Sequence, residues 1–143
     1  MEVEYKFALV LILDEKPLVV LPENLTEIEK SHITLIGGKA LKEHKEALKP
    51  HKGLIEVDSF PNIKFANTAT ATRAVEINGT VEGRKTYFIA VSNQDELRSY
   101  VNELCEQLGI ENPEPDRFFH LSLANNHGGN PFKSVGDITA DDL

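Results

Sequence analysis

The sequence predicts a single α+β domain whose β-structure is largely antiparallel. Apolar runs typical of strands alternate with two helical patterns along the 143 residues. Asn78-Gly79 lies between two strand-like runs, which is the signal of a tight β-hairpin. A His-x-(Thr/Ser)-Leu pattern occurs twice, once in each half of the chain. The order of elements therefore has a loose two-fold character, and the length fits one domain over residues 1–143.

The first third of the chain is expected to hold three strands. Residues Tyr5 to Leu13 are almost continuously apolar and predict a central strand, and Leu18 to Leu21 predict a second, short one. A polar connection from Glu23 to Lys30, with room for a helical turn, leads to a third strand from Ser31 to Ile36. Gly37-Gly38 ends this strand and frees the backbone for a sharp turn or a close approach to a ligand.

A helix is predicted for Gly38 to Lys49, with Pro50 marking its end. Its lysines form the only basic stripe in the chain. This stripe is either a solvated helix face or, through Lys39, a source of positive charge close enough to the preceding strand to reach a phosphate.

The middle of the chain is expected to be rich in β-structure. Strands are predicted for Leu54 to Phe60, Arg73 to Ile77 and Lys85 to Val91, the last two joined by the Asn-Gly hairpin. Pro61 to Thr72 is compatible with either an exposed strand or a loop.

The second helix has the clearest pattern. It is predicted to begin at Ser92, which with Asp95 resembles a capping box, and to end at Gly109. A strand is then predicted for Phe118 to Ala124, followed by an Asn- and Gly-rich loop. The acidic tail from Asp137 to Leu143 is expected to be frayed or to form a short final turn.

Two polar pairs interrupt the apolar motif strands. Successive side chains of a strand point to opposite faces, so His32 and Thr34 share one face, as do His120 and Ser122. If the two halves meet, these four side chains line one cleft. The alternative is that His32 and His120 are ordinary histidines at strand ends.

Such a cleft has the groups that cleave a phosphodiester. In-line displacement needs a base for the attacking oxygen, an acid for the departing oxygen and donors for the non-bridging oxygens. Histidine serves both proton roles near neutrality because its ordinary pKa is about 6.5. The hydroxyls of Thr34 and Ser122 supply donors beside each imidazole. This chemistry needs no metal and no other cofactor.

The segments His32-Ile33-Thr34-Leu35-Ile36-Gly37-Gly38 and His120-Leu121-Ser122-Leu123-Ala124 resemble the paired motifs of the 2H phosphoesterase superfamily, which includes 2′,5′ RNA ligase-like proteins and cyclic nucleotide phosphodiesterases. The resemblance implies a bilobal α+β fold with pseudo-two-fold symmetry, in which two mainly antiparallel sheets form a central cleft and helices lie outside. It also implies metal-independent chemistry on 2′,3′-cyclic phosphates, 2′–5′ linkages or other small phosphodiesters. The motif residues carried over are His32 and His120 as the acid/base pair and Thr34 and Ser122 as the hydroxyls that hold the phosphate.

Five further residues are candidates for binding the substrate. Many members of the superfamily carry a basic residue shortly after the second motif, where this chain has Asn125-Asn126-His127. His127 is either a third histidine of the cleft or an exposed loop residue. Arg73 and Tyr87 either bind phosphate and stack on a base, or serve surface and core packing. The five candidates are Lys39, Arg73, Tyr87, Asn125 and His127.

Composition limits the class of partner. The formal net charge of −8 argues against a stable complex with long nucleic acid and leaves a small nucleotide or an RNA end as the substrate. No apolar run is long enough for a membrane helix and the first residues do not resemble a signal peptide, so we expect a cytoplasmic monomer without a membrane partner. The single cysteine, Cys105, is expected in the core.

Two other functions compete with the phosphodiesterase hypothesis. One is a nucleotide- or RNA-binding module of the same fold without turnover, although binding alone does not require a matched acid/base pair. The other is a metal hydrolase using His32, His120 and His127. This hypothesis is disfavoured because the sequence has no His-x-His, His-Glu-x-x-His or cysteine cluster.

Overall fold

Eight antiparallel strands form one sheet in the computed structural model, which describes all 143 residues. The strands are β1 (Glu2–Tyr5), β2 (Leu9–Ile12), β3 (Thr26–Glu27), β4 (His32–Ile36), β5 (Gly53–Ile55), β6 (Phe65–Ile77), β7 (Thr80–Val91) and β8 (His120–Asn125). Their order across the sheet is β5-β1-β2-β4-β8-β7-β6, and β3 pairs with β8 beside this path. The two motif strands, β4 and β8, are therefore direct neighbours in the middle of the sheet.

The helices are α1 (Gly38–Leu41), α2 (Lys45–Leu48) and α3 (Gln94–Leu108). Short 3₁₀ turns lie at Lys42–His44, Lys49–His51, Pro131–Lys133 and Ala140–Asp142. The longest helix, α3, buries Leu97, Val101, Leu104, Cys105 and Leu108 against the sheet. No helix in the structure has both the length and the apolar character needed to span a membrane.

The main core lies between α3 and one face of the sheet. The apolar residues that alternate with the motif side chains point into it: Ile33, Leu35, Leu121 and Leu123 are at most 4% exposed. Cys105 belongs to this core as expected, and burial raises the pKa of its thiol to about 11. The motif histidines and hydroxyls consequently occupy the opposite face of the sheet.

A smaller cluster lies on a face that α3 does not cover. Val135 and Ile138 of the C-terminal segment pack against Ala71 of β6 and Phe88 of β7. The backbone N–H of Val135 donates to the hydroxyl of Thr86 at 2.8 Å. The tail is thus partly anchored, and its final turn at Ala140–Asp142 carries a capping box between Thr139 and Asp142.

The predicted α+β class with antiparallel pairing is confirmed. The hydrogen bonds, however, join all strands into one sheet rather than the two that the family resemblance implies. The junction is narrow: β4 and β8 are paired at Ile33 and Leu121 only, whereas β6 and β7 are paired along nearly their whole length.

The predicted helix from Gly38 to Lys49 is broken into alternating α and 3₁₀ turns. Its large apolar anchors, Leu41 and Leu48, are buried, but the residues between them are mostly exposed. A regular helix needs a continuous apolar stripe to hold it against the core. At His44 the backbone leaves the helical region with φ −103° and ψ 12°.

Several strand boundaries also differ from the prediction. The first apolar run is a hairpin, because β1 and β2 are separated by a turn at residues 6–8 that contains no Gly, Pro or Asn. Residues 18–21 form no strand, since Val19 and Leu21 pack on the core while Leu18 and Val20 face solvent without a pairing partner. The polar connection before β4 contains β3 instead of a helical turn.

Other differences concern the middle of the chain. β5 ends at Ile55, well short of the predicted Phe60. β6 begins at Phe65 and so includes most of the segment from Pro61 to Thr72, for which the sequence left a strand and a loop open. The N-cap of α3 is Asn93 rather than Ser92, and no side chain caps the helix. Its C-cap is Gly109 as predicted, in the left-handed conformation with φ 75°.

Candidate functional site

The pairing of β4 with β8 determines how the motif side chains meet. Ile33 lies opposite Leu121 in an antiparallel register. Continuing this register by one residue in each direction places His32 opposite Ser122 and Thr34 opposite His120. In this register each histidine would face the hydroxyl residue of the other motif and the two histidines would be diagonal neighbours, which agrees with the effect of the His32 charge on the pKa of His120.

These four side chains remain accessible. His32, Thr34, His120 and Ser122 are all partly exposed, while the residues between them are buried. Such a surface can present two imidazoles and two hydroxyls to one small ligand. Neither β4 nor β8 alone provides a complete set.

His120 has the more constrained environment of the two histidines. Its ring makes an edge-to-face contact with Phe88, with centroids 5.7 Å apart and planes at 76°. Its Nδ1 is buried without a hydrogen-bond partner. Burial lowers the pKa of His120 to about 4, and the charges of Arg117 and His32 add to this effect, while the Phe118 backbone and Asp142 oppose it. The imidazole is therefore neutral at physiological pH.

The pKa of His32 is also lowered, but two neighbouring groups partly oppose this shift. Burial lowers the pKa of His32, whereas the Lys30 backbone and the carboxylate of Glu4 raise it. Glu4 reaches this region from β1, where it pairs with Val10, the cross-strand neighbour of Thr34. The two histidines thus sit in different fields, with a carboxylate near His32 and a guanidinium near His120.

A clamp formed by Glu114 and Arg117 joins the two motifs across the narrow junction. Arg117 Nε donates to the carbonyl oxygen of Thr34 at 3.1 Å, and Arg117 Nη1 donates to both carboxylate oxygens of Glu114 at 3.0 and 3.2 Å. Glu114 Oε1 in turn accepts the backbone N–H of Gly37 at 2.5 Å. The segment before the second motif therefore holds the end of the first.

Sequence reasoning did not assign a role to this clamp or to Phe88. A Glu and an Arg three residues apart just before the second motif are a weak signal, because such pairs are common on protein surfaces. The Gly pair after the first motif was a better signal. A Cβ at Gly37 would meet the guanidinium of Arg117 and the carboxylate of Glu114 at 3.2 Å.

Three of the predicted substrate-binding residues lie apart from the four motif side chains. Lys39 is exposed on α1, beyond the end of β4. Arg73 forms ion pairs with Asp137 at 3.2 Å and Asp142 at 2.7 Å, and so binds the C-terminal segment to the sheet. Tyr87 packs against the main core, where its hydroxyl donates to Thr68 at 2.8 Å.

Asn125 is fully buried at the end of β8. Its amide donates to the Asn130 carbonyl and the Ser134 hydroxyl at 2.8 and 3.0 Å, and its oxygen accepts the backbone N–H groups of His127 and Gly129 at 3.0 and 2.9 Å. All of its hydrogen-bonding capacity is used within the loop. The placement indicates that Asn125 holds this loop and has no group free for a ligand.

His127 lies toward the β6–β7 hairpin. Its Nδ1 is 3.5 Å from a carboxylate oxygen of Glu82, and its Nε2 is 3.3 Å from the carbonyl oxygen of Gly83. It is not brought together with His32 and His120. No group of three or more His, Cys, Asp or Glu side chains in the structure is arranged to hold a metal ion.

A cavity of about 570 Å³ adjoins the site. It lies between the segment before β8, which includes Arg117 and Phe118, and residues 136–141 of the C-terminal segment. Phe118 packs with the Phe88 cluster, which contacts His120. The motif histidines do not line this cavity, which makes it a neighbour of the site rather than its centre.

Comparison of the chain with protein-family models, with curated proteins and with solved structures found no match.

Proposed function

We propose that the protein is a metal-independent phosphodiesterase of the 2H type. One observation supports the proposal: β4 and β8 are neighbouring strands, and His32, Thr34, His120 and Ser122 are all partly exposed positions that alternate with buried ones on these strands. In this reaction one imidazole removes a proton from water, the water oxygen attacks phosphorus, and the other imidazole protonates the departing oxygen. The products are a phosphomonoester and an alcohol, or a ring-opened monoester when the substrate is cyclic.

The electrostatics support a division of roles. His120 has the lower pKa of the two and is available as the base, while Glu4 favours the protonated form of His32 and fits it for the acid. The negative charge of a bound phosphodiester raises the pKa of both imidazoles and so helps one of them to carry the proton. The hydroxyls of Thr34 and Ser122 donate to the non-bridging oxygens.

The substrates proposed are small: 2′,3′-cyclic phosphates, 2′–5′ linkages, cyclic nucleotide signals or RNA ends. Neutralisation of many phosphates requires unpaired cations. The guanidinium group that acts on His120, that of Arg117, is already paired with Glu114, and Arg73 is paired with Asp137 and Asp142. A substrate with one or two phosphodiesters fits this arrangement better than long RNA.

A bilobal arrangement with pseudo-two-fold symmetry is part of the same proposal. Two lobes related by a pseudo-two-fold axis would meet at the β4–β8 junction. The support is the single residue pair at that junction and the equivalent position of the histidine in each motif strand. Cytoplasmic location and a monomeric state remain predictions from the sequence.

The test is turnover of a panel of small phosphodiesters in the presence of a chelator. The panel contains the four nucleoside 2′,3′-cyclic phosphates, a 2′–5′ dinucleotide, 3′,5′-cyclic mononucleotides and cyclic dinucleotides. We expect at least one member to be hydrolysed, and His32→Ala and His120→Ala each to lower kcat by about 10²- to 10⁴-fold. His120→Gln, which is closer in size, guards against loss of the fold.

His44→Ala is the matched control, because it removes an imidazole from the helical segment 38–51. It should hydrolyse the substrate at the wild-type rate. Full activity in His32→Ala or His120→Ala would contradict the proposal. If nothing in the panel is hydrolysed but some members bind, the alternative of a nucleotide- or RNA-binding module is favoured.

A further inference from the structure

The two motif strands, β4 and β8, are joined by very little backbone pairing. Only Ile33 and Leu121 are paired between them, whereas the proposed chemistry requires two imidazoles on different strands to keep a fixed separation. A displacement of about 1 Å can reduce catalysis by about a hundredfold. Strand pairing therefore gives little control of this separation, and the core side chains that both strands share act on the opposite face of the sheet.

The Glu114–Arg117 clamp is placed to control this separation. Arg117 binds the backbone of β4 at Thr34, the second motif residue of this strand. Glu114 accepts the backbone N–H of Gly37, which follows the end of β4. Both clamp residues belong to the segment that leads directly into β8, so the clamp joins the end of one motif to the start of the other.

The clamp residues are well suited to positioning. The side chain of Arg117 is 15% exposed and that of Glu114 is 29% exposed, so their hydrogen bonds are partly shielded from water. Arg117 uses two nitrogens of one planar group, Nη1 for Glu114 and Nε for Thr34, and a lysine with its single nitrogen cannot reproduce both contacts in this geometry. Nε and Nη1 of Arg117 and both carboxylate oxygens of Glu114 are engaged with each other or with the β4 backbone.

We propose that Glu114 and Arg117 are positioning residues that hold the two histidine motifs together and set the electrostatic field at His120. This inference rests on the proposed function, because positioning matters only if the two histidines act together in catalysis. The charged and titratable groups around His120 come from three parts of the chain: Arg117 from the preceding segment, His32 from β4 and Asp142 from the C-terminal turn. Of these, Arg117 is the permanent cation.

The test combines two readouts on Arg117→Gln, Arg117→Lys and Glu114→Gln. The first is the titration of the His120 and His32 imidazoles by NMR in protein without substrate. The second is kcat and KM on the best panel substrate. Asp95→Asn is the control, because Asp95 pairs with Arg98 at the same i,i+3 spacing but is fully exposed. Circular dichroism verifies that each variant is folded.

Removal of the cation should raise the pKa of His120 in Arg117→Gln, because the positive charge no longer opposes protonation. Arg117→Lys keeps the charge and should leave that pKa low, yet it cannot contact Glu114 and the Thr34 carbonyl through two separate nitrogens. Both variants, and Glu114→Gln, should lower kcat by about ten- to a hundredfold with a smaller change in KM. In Glu114→Gln the amide proton of Gly37 should also change its chemical shift.

Two results would overturn the inference. One is an unchanged His120 titration together with unchanged kcat in Arg117→Gln. The other is full activity in both Arg117→Lys and Glu114→Gln, which would show that the clamp geometry is not needed. The titration and the Gly37 amide require no substrate. If the wild-type protein hydrolyses nothing, the proposed function fails while these measurements still decide the role of the clamp.

Discussion

At the residue scale, His120 is the most perturbed histidine in the protein. Its ring is wedged against Phe88 and its Nδ1 lacks a partner, so protonation would place a charge where little can solvate it. The fold therefore keeps the His120 imidazole neutral, and the free energy of unfolding is lower in acid as a consequence.

This burial predicts how stability depends on pH. Because the folded pKa of His120 is about 4 and the unfolded pKa about 6.5, the unfolded chain binds the proton first as pH falls through this interval. We expect the free energy of unfolding to decrease between pH 6.5 and pH 4, by about 3 kcal/mol from this group. Urea denaturation at pH 7, 5.5 and 4.5 measures the change.

The matched variant for this measurement is His120→Gln, which has no titrating group at that position. Its stability should fall less steeply over the same interval, and the remaining slope should come from His32 and the carboxylates. Identical slopes for the wild type and the variant would show that His120 is not held neutral by the fold.

At the element scale, the loop after β8 is organised by a single buried side chain. Asn125 holds four groups of residues 127–134 and is itself not exposed. Asn125→Ala should lower the free energy of unfolding by about 2–4 kcal/mol, since it leaves buried donors and an acceptor without partners. Chemical denaturation at pH 7 measures this loss.

Its neighbour provides the control. Asn126 also makes side-chain hydrogen bonds, to the backbone of Lys85 and Gly83, but it is exposed. Asn126→Ala should cost about 1 kcal/mol or less because water replaces the lost partners. Equal losses in the two variants would contradict the assignment of Asn125 as the organiser of the loop.

The elements that could be predicted from the sequence are those with local signals. Helix α3 keeps its apolar stripe through 15 residues and ends at Gly109, and the hairpin at Asn78 and Gly79 has positive φ at both turn residues. The β1–β2 hairpin had no such signal at residues 6–8. Pairing with a distant strand determines whether a short apolar run becomes a strand, and residues 18–21, predicted as a strand, form none because no strand pairs with them.

At the scale of the whole molecule, the sheet separates packing from the candidate site. One face carries the core and α3, and the other carries the motif side chains and part of the C-terminal segment. Alternation along β4 and β8 predicted which residues share a face. The sequence could not predict that Ile33 would pair with Leu121, because the two residues are 88 positions apart and no local pattern determines their register.

The net charge of −8 predicts an unusual salt dependence. An acidic protein repels an anionic substrate at long range, and this repulsion is screened when the Debye length falls from about 30 Å at 0.01 M salt to about 8 Å at 0.15 M. We expect kcat/KM to rise by up to about threefold over this range. Steady-state kinetics at fixed pH tests the prediction, with a neutral viscogen as a control for diffusion.

A protein that neutralises several phosphates shows the opposite trend. Its binding weakens steeply as salt increases, because bound counterions are released on association. A steep fall in kcat/KM with salt would therefore contradict the conclusion that the site acts on small substrates with few charges.

Antiparallel pairing about one residue pair has a geometric consequence for the direction of the reaction. A half-turn about an axis between Ile33 and Leu121 exchanges His32 with His120 and Thr34 with Ser122. Considered by themselves, the four groups would accept a diester in either of two reversed orientations. Only the surroundings distinguish the ends, with Glu4 beside one imidazole and Arg117 beside the other. The polarity of cleavage, and hence which oxygen of the ester leaves, would be decided by residues outside the motifs.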